Sequence, residues 1–220
     1  MKNMQENTKV HALIGISNFN SYYSIKNMVN IFNYARKNYQ NFNILVMDEV
    51  SVFNLMALGY DNAKALNKTR RSDKHLHNNI LKSLEIIGYD SIESRNKILQ
   101  LSEISKNIKY KEIYEKILML YTNNESFNND CRALTKNMLI TKMSNVKDEN
   151  IDLAVKYLLA ELPLCLNSSY ILDLDNVVMI NKDMSDHWEK IYYDYDLLSD
   201  KQKILVKNFE DSEGLEDFEN

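Results

Sequence analysis

Three side chains of this 220-residue chain have the types and spacing to cooperate in acyl transfer. Ser17 lies in the run His11-Ala-Leu-Ile-Gly-Ile-Ser-Asn-Phe-Asn20, and Tyr157 and Glu161 lie in Tyr157-Leu-Leu-Ala-Glu-Leu-Pro163. A serine hydroxyl is a weak nucleophile until neighbours activate it and stabilise the oxyanion it creates. A phenol can hold an amine or an oxyanion, while a carboxylate can bind an ammonium group or accept its proton. Positions i and i+4 of a helix share one face about a turn apart, so Tyr157 and Glu161 can act on one substrate group. Neither run is specific alone. No Gly-x-Ser-x-Gly elbow is present, and a serine in a strand-to-helix loop is more often a cap or turn residue.

The elements around these residues follow from apolar periodicity. Val10 to Ile16 is a compact apolar run broken only by His11, short enough for a buried strand. Ser21 reads as a helix N-cap, followed by Ile25, Met28, Val29, Phe32 and Ala35 at amphipathic spacing. Asn43 to Asp48 is a second strand. Strand, helix, strand in this order is a βαβ opening with a parallel, right-handed crossover. Ligands of such sheets sit beyond the carboxyl ends of the strands, where Gly15 and Ser17 fall. Helical stretches are then expected over 52–68, 72–87, 91–106, 109–121 and 128–143, with a polar break from Thr122 to Phe127. A helix over 148–161 carries Tyr157 and Glu161 and should stop near Leu162, because Pro163 disfavours helix just before it. Asn176 to Asn181 is a further strand candidate.

With 45% apolar residues, one proline and four glycines, the composition favours a single helix-rich α/β domain. Residues 1–9 read as a polar lead-in, 10–207 as the domain and 208–220 as an acidic, disordered tail. The net charge of -4 comes from that tail, which holds six acids and no Lys or Arg. The body carries 27 basic and 25 acidic residues, so a local basic face is compatible with it. Cys131 and Cys165 fit no CxxC pattern, and no secretory leader or apolar run near the ~18 residues of a membrane span is found. A cytoplasmic protein with no membrane association is expected.

Taken together, Gly15-x-Ser17-x-x-Asn20 and Tyr157-x-x-x-Glu161-x-Pro163 resemble the cyclodipeptide synthases. Met56 to Tyr60 with Ala63, Lys64 and Ala65, and the region of Phe127, Cys131 and Arg132, extend the likeness over roughly residues 10 to 181. The resemblance implies a Rossmann-like domain similar to class I aminoacyl-tRNA synthetase catalytic domains, with a mostly parallel sheet flanked by helices. It also implies an aminoacyltransferase that closes the aminoacyl groups of two aminoacyl-tRNAs into a diketopiperazine. Ser17 would accept the first aminoacyl group, Tyr157 would hold its amine, and Glu161 would bind or deprotonate an amino group. Gly15 would let the loop pack under the substrate. No cofactor is expected, since an aminoacyl ester is already activated and needs neither ATP nor a metal. Family members usually place another tyrosine at the end of the next strand, facing Asn20. Here that position falls near Asn181, whose amide can hydrogen-bond a substrate but offers no phenol. A catalytically silent tRNA-binding relative is therefore the alternative.

The resemblance also places a side-chain pocket beneath the nucleophile, at Leu13, Gly15, Leu45, Met47, Leu164, Cys165 and Met179. All are apolar or small, so a Leu, Met or Phe side chain should enter and a charged one should be rejected. Between Lys64 and Lys82 six basic residues (Lys64, Lys68, Arg70, Arg71, Lys74 and Lys82) face the single acid Asp73. Such a run is often only a solvated face, but with a tRNA substrate implied it is the candidate phosphate-binding footprint. A monomer is expected, with weak dimerisation as the alternative. Two other strings carry little. Lys142-Met-Ser144 lacks the second lysine of a synthetase nucleotide loop, and His75 and His77 point to different helix faces and suggest no metal site.

Overall fold

The computed structural model describes residues 10–181 together with 191, 195, 207 and 208. A parallel sheet in the order β3-β2-β1-β4-β5 forms its centre. Its strands are β1 (His11–Ser17), β2 (Asn41–Met47), β3 (Ile98–Gln100), β4 (Val177–Asn181) and the two-residue β5 (Lys207–Asn208). Residue by residue, Ser17 pairs with Met47 and Ile14 with both Ile44 and Ile180. The expected α/β class and the strands around Ser17 are as the apolar runs indicate.

Because successive strand side chains point to opposite faces, β1 and β2 sort their residues into two cores. Ala12, Ile14, Ile16, Phe42, Ile44, Val46, Val178 and Ile180 pack on one face against α1 (Ile25–Asn38) and α3 (Asn62–Ile86). Leu13, Leu45, Met47, Val177 and Met179 pack on the other, against α6 (Ile108–Asn123), α7 (Glu125–Ile140) and α8 (Asp148–Leu172). Both faces are covered, which is why these strands read as continuous apolar runs. The short α2 (Ser51–Ala57) also lies on α8, where Asn150 Nδ2 donates to Ala57 O at 2.8 Å. Tyr195 packs edge-on against Phe127 and donates to Asp130 Oδ2 at 2.6 Å, fixing it on α7.

Four expectations change. The helices expected over 52–68 and 72–87 are instead α2 and the unbroken α3: the division falls at Gly59 (φ 91°), not near residue 70, and Asp61 caps α3 by accepting from Lys64 N at 2.9 Å. The stretch 91–106 is α4 (Ser91–Lys97), β3 and α5 (Leu101–Ile104). The Asn43 side chain closes α4 by donating to Asn96 O and Lys97 O, and the next three residues join β2. The polar break narrows to Asn124, whose Oδ1 caps α7 through Phe127 N. Most consequentially, α8 continues through Pro163 to Leu172. A proline removes one helical bond and crowds the preceding turn. Pro163 takes the helical donor from Leu159 O; at the next residue Tyr110 Oη donates to Ala160 O at 2.7 Å and ties this turn to α6. The backbone leaves helical geometry only at Asn167 (φ -142°, ψ 33°).

No helix among the described residues is long and apolar enough to cross a membrane. The lead-in 1–9 lies outside the described residues, as does the expected tail 208–220 except Asn208, which in β5 pairs with Asn181.

Candidate active site

Ser17 ends β1 and shares its face of the sheet with Leu13 and Gly15, the face that α8 covers. Beyond it the chain makes a tight return. Phe19 adopts φ 62°, a left-handed conformation that costs an aromatic residue about 1–3 kcal/mol. Asn20 holds the turn from within: its Oδ1 accepts from Tyr22 N at 3.0 Å and its carbonyl from Tyr23 N at 3.3 Å. Helix α1 starts later than Ser21 would place it, with Ser24 as the cap accepting from Asn27 N. Tyr23 is thereby turned back under β1, and its buried hydroxyl donates to Gly15 O at 2.9 Å.

From the opposite side, α8 presents Tyr157, Glu161 and Cys165 one turn apart on one face. The Tyr157 phenol lies beside the Ser17 hydroxyl, which acts on its titration. Burial drives its pKa well above the ordinary tyrosine value, reinforced by Glu161, Tyr23 and Cys165 and opposed by Ser17. Tyr157 is thus a neutral phenol at any physiological pH. Glu161, enclosed by protein but still partly accessible to solvent, has its pKa raised to about 7 by desolvation. A carboxyl with that value exchanges a proton readily near neutrality, as an acid–base group must.

The pocket residues expected from the sequence come together. Leu13, Leu45, Met47, Leu164, Cys165 and Met179 are each at most 2% exposed, and all belong to one apolar cluster against which Tyr157 packs. Gly15 is buried between them and the Tyr23 hydroxyl. Asn181 ends β4 one residue beyond Ile180, the partner of Ile14, and so lies at the same end of the sheet as Ser17. Asn20 is committed to the turn through its side-chain Oδ1, a role its place in the motif did not suggest. His11 accompanies Asn43 at 2.9 Å at the start of the strands and takes no part near Ser17. A surface cavity of about 290 Å³ lined by Asn41, Asn43, Tyr89, Glu93, Asn96 and Lys97 also lies at that far end.

Lys64, Lys68, Arg70, Arg71, Lys74 and Lys82 are all exposed on α3, opposite the buried stripe of Ala65, Thr69, Leu76, Ile80 and Leu84. Lys64 pairs with Asp61 at 3.2 Å and Lys68 contacts the Tyr60 hydroxyl at 3.0 Å. Among the described residues, Arg70, Arg71, Lys74 and Lys82 have no carboxylate partner, which leaves their charge available to an anion. Asp73 is not on that side. It is half-buried with Ser72 on the inner side of α3, where both contact Asn18, next to the serine. Two features beside the serine are therefore absent from the sequence-based expectation. Nothing local announces either one: Tyr23 lies in a polar run between Asn20, Ser21 and Ser24, and the Asn18 contact depends on a distant helix.

The chain and its fold match known proteins. A family model described as cyclodipeptide synthase matches residues 4–200. A cyclo(L-leucyl-L-leucyl) synthase of Staphylococcus haemolyticus is 32% identical over 181 residues, covering 78% of this chain and 74% of that protein. The crystal structure of a cyclodipeptide synthase from Bacillus thermoamylovorans superposes with a TM-score of 0.81 at 26% identity, covering 90% of this chain and 88% of that one. The fold is also shared, at a TM-score of 0.73 and 21% identity over 84% of this chain and 78% of the other, by a Mycobacterium tuberculosis protein. Its structure related cyclodipeptide synthetases to type I tRNA synthetases.

Proposed function

The chain belongs to the cyclodipeptide synthase family, and we propose that it joins the aminoacyl groups of two aminoacyl-tRNAs into a diketopiperazine through an ester on Ser17. The observation that carries this reading is the juxtaposition of Ser17 and the Tyr157 phenol beside an enclosed carboxyl whose pKa burial raises to about 7. Ser17 Oγ attacks the ester carbonyl of the first aminoacyl-tRNA. The hydroxyl proton passes to the departing tRNA 3′ end, and the aminoacyl group stays on the serine. Two aminolyses follow, each breaking one ester and forming one amide. The second closes the ring, and both tRNAs leave with free ends.

An amine attacks only when unprotonated, and an α-amino group has a pKa of about 7.7–8.0. Glu161 is matched to that value and can take the ammonium proton without a large energetic step. Tyr157, remaining neutral, holds the amine or the serine oxygen by hydrogen bonding alone. Asn181, where relatives usually have a tyrosine, serves as an amide partner to the substrate.

The apolar cluster under Ser17 accepts Leu, Met or Phe, consistent with the leucyl product named for the Staphylococcus haemolyticus relative. Such a wall separates side chains differing by one methylene by only ~1–3 kcal/mol, so mixed products are expected. The exposed row on α3 binds the tRNA backbone. Incubation with leucyl-tRNA labelled in the amino acid tests the ester directly. Label should remain on denatured wild-type protein and map to Ser17, and it should be absent from Ser17→Ala. Label on another residue would overturn the assignment.

A further inference from the structure

Asp73 is the one acid in the basic stretch from Lys64 to Lys82, and tRNA binding does not account for it. Helix geometry explains where it points. Ala65, Thr69, Leu76 and Ile80 form the buried stripe of α3, and position 73, four after 69 and three before 76, falls on it. The carboxyl therefore turns away from the exposed cations and toward the end of β1. There Asn18 is 8% exposed, and both ends of its amide are used. Asn18 Nδ2 donates to Asp73 Oδ1, and Ser72 Oγ donates to Asn18 Oδ1 at 3.2 Å.

This arrangement is costly to leave unexplained. The carboxyl is half-buried without an ion-pair partner among the described residues, close to Asp48 and Glu49, and burial raises its pKa to about 6. No such group is needed merely to pack α3, since the apolar stripe does that. What it does hold is the residue following Ser17, at the start of a turn strained at Phe19. Tyr23 and Asn20 fix the inner side of the turn, and Ser72 and Asp73 fix its outer side. The same helix bears the exposed cations, so one rigid element joins the proposed tRNA surface to the nucleophile loop.

We propose that Asp73, acting through Asn18, is a positioning residue that holds the Ser17 hydroxyl in line with the aminoacyl ester. The inference rests on the reading of Ser17 as the nucleophile. A misplacement of about 1 Å can cost on the order of a hundred-fold in rate without loss of binding, so the clamp should act on acylation and not on affinity.

Single-turnover transfer of labelled leucine from leucyl-tRNA, with tRNA affinity measured separately by filter binding, tests it. Asp73→Ala should slow acylation by about ten-fold or more while leaving affinity within about two-fold. Asp73→Asn keeps an acceptor oxygen for Asn18 and should recover most of the rate. Asn18→Ala removes the same contact from the loop side, gives the same slow phenotype, and decides the matter if Asp73→Ala does not fold. The double variant should be no slower than the slower single one, because both act on one contact. A normal rate in Asp73→Ala or Asn18→Ala, an equal loss of affinity, or an Asp73→Asn variant as slow as the alanine overturns the proposal. If wild-type protein takes no label, or Ser17→Ala takes as much, the Ser17 reading fails and the clamp with it. If wild type labels on Ser17 and the clamp variants match it, only the clamp fails.

Discussion

Ser17 and Tyr157, one ending the first strand and the other midway along the last long helix, stand side by side at the carboxyl end of the sheet. The contact sets a hydroxyl on the strand against a phenol that burial keeps neutral. Its chemical weight and its structural weight can be separated. Tyr157→Phe keeps the ring against the apolar cluster and removes only the hydroxyl. Stability should fall by about 0.5–1.5 kcal/mol, while product formation should fall by about a hundred-fold or more. Thermal melts beside product quantification check the split; comparable small effects on both would reduce Tyr157 to a packing residue.

Glu161 links activity and stability to pH in opposite directions. Its folded-state pKa of about 7 lies above the ordinary carboxyl value, so between about pH 4.5 and 7 the folded chain holds a proton that the unfolded chain has lost. Stability contributed by this group is therefore present at the acid end and lost as pH rises through 7, by at most ~1.4 kcal/mol per pH unit. Activity needs the ionised form and should rise over pH 6 to 8. Glu161→Gln should abolish the activity and make the protein more stable than wild type at pH 8. Melting temperatures of both proteins at pH 5.5 and 8 test the sign, the difference between them isolating Glu161 from Asp73.

The exposed row on α3 makes an electrostatic prediction. Replacing Arg70, Arg71 or Lys74 by Gln should weaken tRNA binding and lower the slope of log affinity against log salt by about 0.7–0.9 for each phosphate no longer neutralised. Filter binding at several salt concentrations measures it. An unchanged slope would remove this face from the tRNA interface.

Much of this site was legible because its chemistry is local in sequence. The i, i+4 spacing of Tyr157 and Glu161 determines their common face, and the alternation of Leu13, Gly15 and Ser17 determines that the serine lies on the face of the sheet that α8 covers. What was not legible depends on distant partners. Pro163 locally argues for a helix end, and the helix continues in a turn that Tyr110 supports from α6. Ile98 and Leu99 fit a helix as well as a strand, until β2 offers them an edge. Asp73 reads as an interruption of a basic run, and only the folded path brings it to Asn18.

The most direct test is mass spectrometry of medium from bacteria expressing this chain beside a Ser17→Ala control of equal soluble yield. Leucine- or phenylalanine-containing diketopiperazines in the wild-type culture, absent from the control, are the predicted result. Soluble wild-type protein that yields none, or a Ser17→Ala control that yields as much, would contradict the account.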